Sequence, residues 1–291
     1  MKGIILAGGK GSRLYPATLS VSKQLLPLFD KPMIYYPLSM MMMAGIREIL
    51  IISSPEALPL YKNLLKDGKQ FGVEFTYKEQ LNPGGIAQAF LLGEEFINND
   101  PVCLILGDNF FYGQDMRSQL EKAAKLTKGA KVFGYAVRDP ENYGVVELDA
   151  NYKVVSIAEK PKQPKSSYAV VGMYFYDSQV VNITKSLAPS GRGELEITDV
   201  NKCYLDKGQL DIGLLGRGTT WFDAGTHENL LEASNFVAAL EHRQGLKIAC
   251  LEEIAYREGF ITAEDLKESA DLMKGSNYGE YILKLLVEKN A

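Results

Sequence analysis

The 291-residue chain is poor in the residues that mark metal and redox proteins: it has three cysteines, two histidines and one tryptophan. Cys103, Cys203 and Cys250 stand far apart with no CxxC spacing, and His227 and His242 make up the whole histidine complement, so zinc and haem signatures are absent. Scattered single thiols fit a reducing cytosol. Positive charge is not in excess either. With 32 Lys and Arg against 36 Asp and Glu the net charge is −4, which withholds the sequence-independent phosphate attraction used by most nucleic-acid binders. Long hydrophobic runs are also missing, and the apolar stretch Ile4 to Ala7 is too short for a signal-peptide core or a membrane span. A cytoplasmic protein with neither nucleic acid nor membrane as partner is expected. What is present, 46% hydrophobic and 23% charged residues, is the composition of an ordinary globular protein. Its length suits one large domain or two smaller ones at roughly 150 residues each.

Apolar runs of strand length alternate with helical stretches through the first half, as a parallel sheet with crossover helices requires. Strands are expected at Gly3–Leu6, Glu48–Ser53, Val73–Tyr77, Val102–Leu106 and Lys131–Val137. Helices are expected at Met33–Gly45, ending Asn63–Lys69, at Ala87–Phe96 and at Met116–Leu126. Gly144–Leu148, Val154–Ala158 and Ala169–Tyr176 then follow too closely for full crossovers, which predicts mixed or antiparallel pairing. Helix returns at Leu195–Lys207 before Gly208 and at Asn229–Arg243 before Gly245. From Leu251 the pattern is helical, with Thr262 as an N-cap and Gly279 preceding EYILKLLVEK. The expected organisation is a domain over 1–245, divided near residue 140 into halves of 1–140 and 141–245, with a helical tail over 246–291. Met40 to Met43 read as adaptable core or subunit-contact filler, and His227 reads as a helix-start residue.

The most informative segment is Leu6-Ala7-Gly8-Gly9-Lys10-Gly11-Ser12-Arg13-Leu14, directly after the first strand. Glycines there let the backbone bend around an anion at the carboxyl end of a strand, where open α/β sheets bind ligands. It is not a P-loop, because Gly11 separates Lys10 from Ser12, and Leu14 stands where a dinucleotide fingerprint needs glycine. A tight turn without ligand is the plain alternative. Arg13 and Lys23 favour phosphate, since a guanidinium and an ammonium beside backbone donors suit a polyphosphate leaving group. Asp108, after a strand in LGDNFF, and Asp223, in WFDAGT, read on their own first as helix-cap or turn residues, with a Mg²⁺-holding pair as the alternative.

The segment GGKGSRLYPATLSVSKQLLPLFDKPMIYYPLS resembles the signature of the sugar nucleotidyltransferases, and the likeness continues in order through NPGGIAQAF, LGDNFFYG, YGVVELD, EKPKQPKSSYAVVGMYFYD, GRGELEITDVN and WFDAGTHENL. One departure is Ser12, where many members carry threonine, and it keeps the hydroxyl. The resemblance implies a Rossmann-like, three-layer α/β fold with a mixed sheet flanked by helices and a C-terminal helical appendage. It implies Mg²⁺-dependent conversion of dTTP and α-D-glucose 1-phosphate to dTDP-glucose and diphosphate, the first step of dTDP-L-rhamnose biosynthesis. Leu6, Gly8, Gly9, Gly11, Ser12, Arg13, Lys23, Gln24, Gln80, Gly85 and Asp108 would then meet the nucleotide, with Gln24, Gln80 and Gly85 reading the base. A glutamine amide donates and accepts at once, which matches the edge of a pyrimidine-2,4-dione.

By the same resemblance Asn109, Tyr143, Gly144, Glu159, Lys160, Val170 and Arg192 would meet the sugar phosphate, Asp108 and Asp223 would hold Mg²⁺, and Arg13, Lys23 and Lys160 would act directly on the transfer. Lys160 is otherwise a solvated edge residue and Arg192 a flexible loop charge. A homotetramer and feedback inhibition by dTDP-L-rhamnose through the tail are implied in the same way. The alternatives are transfer of a uridylyl or other nucleotidyl group to a different sugar phosphate, and a non-catalytic nucleotide-sugar sensor. The sensor is disfavoured because Arg13, Lys23 and both aspartates are present.

Overall fold

A computed structural model describes residues 1–287 of the chain. In chain order its first half comprises β1 (Lys2–Leu6), β2 (Pro27–Leu28), β3 (Lys31–Pro32), α1 (Tyr35–Met43), β4 (Glu48–Ser53), α2 (Leu58–Leu65), β5 (Glu74–Glu79), α3 (Gln88–Leu92), α4 (Glu94–Ile97), β6 (Val102–Leu106), β7 (Asn109–Gly113), α5 (Met116–Ala123) and β8 (Ala130–Ala136). The second half comprises β9 (Gly144–Leu148), β10 (Val154–Glu159), β11 (Tyr168–Tyr176), α6 (Gln179–Ser186), α7 (Ile197–Asp206), β12 (Leu210–Leu215), β13 (Thr219–Asp223), α8 (His227–Gln244), α9 (Leu251–Arg257), α10 (Ala263–Leu272) and α11 (Asn277–Val287).

The main sheet is mixed. β5, β4, β1 and β6 run parallel, β11 joins antiparallel to β6, β8 pairs antiparallel with β11, and β12 lies parallel to β8. The β9–β10 hairpin attaches to the start of β11 at Ala169. Strands covered on both faces by helices read as continuous apolar runs, and GIIL, EILIIS and VCLIL do so. Period-two alternation divides their side chains between two cores. Ile5, Ile51 and Ile105 enter one core with Met40, Met41 and Met42, whereas Ile4, Leu50 and Leu104 enter the other with Phe90, Tyr176 and Tyr204.

The sequence-based elements need correction at several points. α2 ends at Leu65, where Lys66 turns to φ +52°, and residues 69–71 form a separate 3₁₀ turn. The helix expected over Ala87–Phe96 is broken at Gly93, whose non-helical backbone packs so near Ile4 and Leu50 that a Cβ would press on both. α5 stops at Ala123 rather than Leu126. β7, β12, β13 and α6 were not anticipated. Gly279 lies inside α11, not before it. Thr226 and Thr262 cap α8 and α10, Thr262 within a capping box closed by Asp265, and Gly245 takes the left-handed conformation that ends α8.

The helices after residue 250 form the C-terminal helical appendage, and they pack into the main core. Leu251, Ala255, Leu266, Ala270 and Ile282 are fully buried in the same apolar cluster as Ile5 and Ile105. α9 packs on α1, and the backbone of Phe260 sits where any side chain at Gly72 would have to go. Residues 288–291, the end of the proposed tail, lie outside the described residues.

Candidate active site

The site forms where β1 and β6 end side by side and the β7–β13 ribbon crosses beyond them. Gly107 N–H donates to the Leu6 carbonyl, joining the glycine loop to the Asp108 turn at 2.9 Å. Gly9 and Gly11 adopt φ of +90° and +61°, so the loop needs residues without the Cβ penalty at those two positions. Thr18 Oγ1 donates to the Gly11 carbonyl at 2.7 Å and Ser53 Oγ to the Ala7 carbonyl at 2.8 Å, fixing the loop from both sides. Ser12, Arg13 and Leu14 form the short 3₁₀ turn that follows.

Asp108 and Asp223 converge because β7 and β13 pair antiparallel with Asp223 opposite Asn109, and because the Ala224 N–H donates to the Asp108 carbonyl at 2.9 Å. Lys23 Nζ is in direct contact with Asp108 Oδ2, and Arg13 Nη2 lies 3.9 Å from Asp223 Oδ2. Burial pushes the Asp108 carboxyl up, but the Lys23 charge and hydrogen bond, helped by Asn109, overcome it and hold the group below its ordinary value. Asp223 goes the other way. Burial, reinforced by the neighbouring Asp108 charge and only partly offset by Lys23 and Arg13, raises it to about 6. Asp223 Oδ1 is buried without any hydrogen-bond partner. An orphaned carboxylate oxygen beside a second carboxylate is a donor set that suits Mg²⁺, which is usually held by one or two carboxylates plus substrate phosphate. Among the described residues no group of three or more acidic, histidine or cysteine side chains forms a fuller cage.

Two clefts lie at the glycine loop and at Asp223. One, of about 360 Å³, is lined by Gly9, Lys10, Ser53, Ser54 and Gln80. The other, of about 170 Å³, is lined by Asn109, Tyr143, Gly144, Glu159, Lys160, Val170 and Asp223, which brings together all the sequence-predicted sugar-side residues except Arg192. Lys160 sits at φ +43°, a left-handed conformation unusual for a side-chain-bearing residue, with its N–H on the Tyr143 carbonyl at 2.9 Å. Tyr143 stacks edge-on against Trp221 at 5.3 Å between ring centres. Thr198 Oγ1 donates to Glu159 Oε2 at 2.5 Å.

Three predicted residues are engaged by intramolecular partners, Gln24 and Asn109 in the interior and Arg192 at the surface. Gln24 is 2% exposed; its Oε1 accepts from Ser22 and Tyr61 and its Nε2 reaches the Gly8 carbonyl at 3.4 Å, so it braces the glycine loop. Asn109 accepts from the Trp221 indole at 2.7 Å and the Gly172 N–H at 3.1 Å and donates to Asp108 Oδ1, tying β7 to β11 and β13. Arg192 is clasped by both oxygens of Glu196 at 2.9 Å, with Glu159 at 3.4 Å and Glu194 at 3.8 Å, instead of extending freely from its loop. Gly85, at φ +95°, lies against the Leu195 backbone with no room for a side chain, so the 83–87 turn is docked on the loop that carries Arg192. Sequence reasoning passed over Tyr61, Gln88, Gly172, Glu196, Thr198 and Trp221. All but Tyr61 lie within the motifs already quoted; Gly172, Thr198 and Trp221 act on partners distant in sequence, whereas Gln88 and Glu196 act on near neighbours that irregular loops bring round to them.

This geometry, a glycine loop lining one cleft and a carboxylate pair whose Asp223 lines another, is that of a nucleotide-handling transferase. The nucleotidyl transferase family profile matches residues 2–239. A glucose-1-phosphate thymidylyltransferase of Neisseria meningitidis serogroup A is 57% identical over 286 residues, covering 98% of this chain and 99% of that one. A Mycobacterium tuberculosis protein of the same name is 51% identical over 290 residues and 100% of both chains. Among solved structures, a Bacillus anthracis protein assigned to the same activity and bound to sucrose superposes with a TM-score of 0.76 at 47% identity, over 81% of this chain and 94% of that one. A UDP-glucose pyrophosphorylase complexed with UDP-glucose superposes with a TM-score of 0.72 at 26% identity, over 82% of this chain and 98% of that one. The chain belongs to the nucleotidyl transferase family and, within it, to the glucose-1-phosphate thymidylyltransferases.

Proposed function

We propose that the chain transfers the thymidylyl group of dTTP to α-D-glucose 1-phosphate. The observation that carries this reading is the Asp108–Asp223 pair with Lys23 and Arg13 against it, Asp223 lining a cleft that also holds Lys160, and the adjoining glycine loop lining a second cleft. An oxygen of the sugar phosphate attacks the α-phosphorus of dTTP, a new P–O bond forms, and the bond to the β-phosphate breaks with its electron pair leaving on diphosphate. The nucleophile is already an anion near neutral pH, so no side chain has to remove a proton. Positioning and charge neutralisation therefore carry the rate.

The N–H groups of Gly8, Gly9 and Gly11, the Ser12 hydroxyl and the charges of Arg13 and Lys23 receive the departing diphosphate at the end of Leu6. Lys160 holds the incoming phosphate, Glu159 and the Gly144 backbone take sugar hydroxyls, and Tyr143 and Val170 wall the ring. Arg192 reaches that phosphate only by exchanging its Glu196 partner. Asp108 and Asp223 would hold Mg²⁺, which when bound supplies neutralisation of phosphate oxygens. Gln80 and the Gly85 backbone meet the base, and Gln24 supports them from behind the loop. The pyrimidine-2,4-dione edge is common to thymine and uracil, so UTP serves as a slower donor.

The proposal extends to the setting of the enzyme: a cytoplasmic homotetramer opening dTDP-L-rhamnose synthesis and inhibited by that end product. A cleft of about 630 Å³ between α1 and residues 244–257, lined by Met40, Met43 and Ile254, supports binding of an inhibitor away from the transfer site. No helix among the described residues is long and apolar enough to cross a membrane. Titration of dTDP-L-rhamnose against a Met43→Trp variant tests the regulatory part: inhibition weakens if that cleft takes the inhibitor and is unchanged if it does not.

A further inference from the structure

The base-side cleft contains an amide pair whose orientation is fixed by the backbone. Gln88, the first residue of α3, accepts with its Oε1 from the Gly84 N–H at 2.9 Å and from Gln80 Nε2 at 2.7 Å. The two ends of a glutamine amide are ordinarily interchangeable in a structure, and only their partners decide which is which. A backbone N–H donates and never accepts, so the Gln88 atom facing Gly84 is the oxygen. Gln80 must then present its nitrogen to that oxygen.

The consequence falls on the other end of Gln80, which is 4% exposed overall. Its Oε1 is turned toward the glycine loop, so close to Gly8 that any side chain there would collide with it, and no protein donor to this oxygen is recorded among the described residues. Gln80 therefore offers a free acceptor and, on Nε2, one remaining donor hydrogen. A thymine or uracil donates from N3 and accepts at the adjacent carbonyl, which complements that arrangement. A cytosine accepts at N3 and donates from its amino group, and it needs Gln80 turned over. Turning it over would face two amide oxygens, those of Gln80 and Gln88, toward each other while Gly84 still holds the second in place.

We infer that Gln88 is a positioning residue for base selection: by anchoring the Gln80 amide it sets the preference for a pyrimidine that donates at N3 over one that accepts there. This rests on the reading of Gln80 as the residue that meets the base. The test compares kcat/KM for dTTP and dCTP, with glucose 1-phosphate as acceptor, in the full-length enzyme and in Gln88→Leu, Gln88→Glu and Gln80→Ala. Using two deoxynucleotides keeps the sugar constant and isolates the base.

The dTTP/dCTP ratio is expected to fall by about tenfold or more in Gln88→Leu, the scale of one misdirected hydrogen bond. In Gln88→Glu, which keeps an acceptor for both Gly84 and Gln80, the ratio is retained. An unchanged ratio in Gln88→Leu, or an equal loss in Gln88→Glu, overturns the inference while a lowered ratio in Gln80→Ala leaves base reading by Gln80 intact. An unchanged ratio in Gln80→Ala overturns both. If Gln88→Leu does not fold, Gln88→Lys carries the test, because a donor at that position draws the Gln80 oxygen toward it. The ratio must then fall, and a ratio equal to that of the unaltered enzyme refutes the inference.

Discussion

At the scale of single residues, burial and a neighbouring carboxylate set the charge of Asp223. Asp223 loses its proton only near pH 6, held up by burial and by Asp108. In the unfolded chain the same carboxyl titrates near 3.8. Between those values the folded protein binds more protons than the unfolded one, so by linkage stability falls as pH rises from about 4 to about 6 and is level above. Asp223→Asn removes the buried charge. In chelator-treated protein it should unfold later than the unaltered protein at pH 7.5, by roughly 1–3 kcal/mol, with the gap closing below about pH 4, while transfer activity is lost. Urea titrations at the two pH values check this. Equal stability at pH 7.5 contradicts the buried-charge account.

In the proposed transfer Lys160 combines a phosphate-holding charge with a left-handed backbone. Lys160→Ala and Lys160→Gly should both cut turnover by two or more orders of magnitude, roughly the effect of losing one charge-stabilising donor. Lys160→Gly should nevertheless be the more stable of the two by about 1 kcal/mol, because glycine carries no Cβ penalty at φ +43°. Thermal melts of the two variants separate the backbone role from the charge. Lys160 could be picked out in the sequence from its place in EKP, but its φ could not, since nothing in a Glu-Lys-Pro run distinguishes an extended lysine from a left-handed one.

At the scale of elements, the β7–β13 ribbon and the Asn109 latch set the spacing of the two carboxylates. Asn109→Ala leaves the Trp221 indole N–H and the Gly172 N–H unpaired in the interior. It should destabilise the protein by roughly 2–4 kcal/mol, since each orphaned donor costs about 1–3. Gly172→Ala should act in the same direction, because its Cβ would lie 2.5 Å from Asn109 Oδ1. Denaturant midpoints for both variants check this. The buried parallel strands were legible in the sequence because GIIL, EILIIS and VCLIL are continuous apolar runs. β7 and β13 were not, because NFFYG and TTWFD are short and mixed, and their pairing joins segments about a hundred residues apart. The Gln80–Gln88 and Arg192–Glu196 pairs are only eight and four residues apart, and they stayed hidden because the irregular loops that bring them together leave no periodic pattern. A residue type was readable where its chemistry was local, and its partner was not.

At the scale of the whole molecule, the chain is less divisible than its sequence pattern suggested. α8 ends at Gly245. The helices beyond it nevertheless supply Leu251, Ala255, Leu266, Ala270 and Ile282 to the core beneath the sheet. Removing several fully buried aliphatic side chains at once exceeds the usual margin of domain stability. A chain ended at Gly245 should therefore be aggregated or unfolded by circular dichroism, and a soluble, fully active truncation would contradict the shared core. Regulation through this region is accordingly probed by point substitution, as with Met43→Trp.

The most direct test of the account is diphosphate release from dTTP, UTP, dCTP and ATP in the presence of Mg²⁺ and glucose 1-phosphate, with Asp108→Asn measured alongside. The account predicts that dTTP is used best and UTP next, that dCTP and ATP are poor donors, and that Asp108→Asn is folded and inactive. A preference for ATP or dCTP, or near-normal turnover in Asp108→Asn, would contradict it.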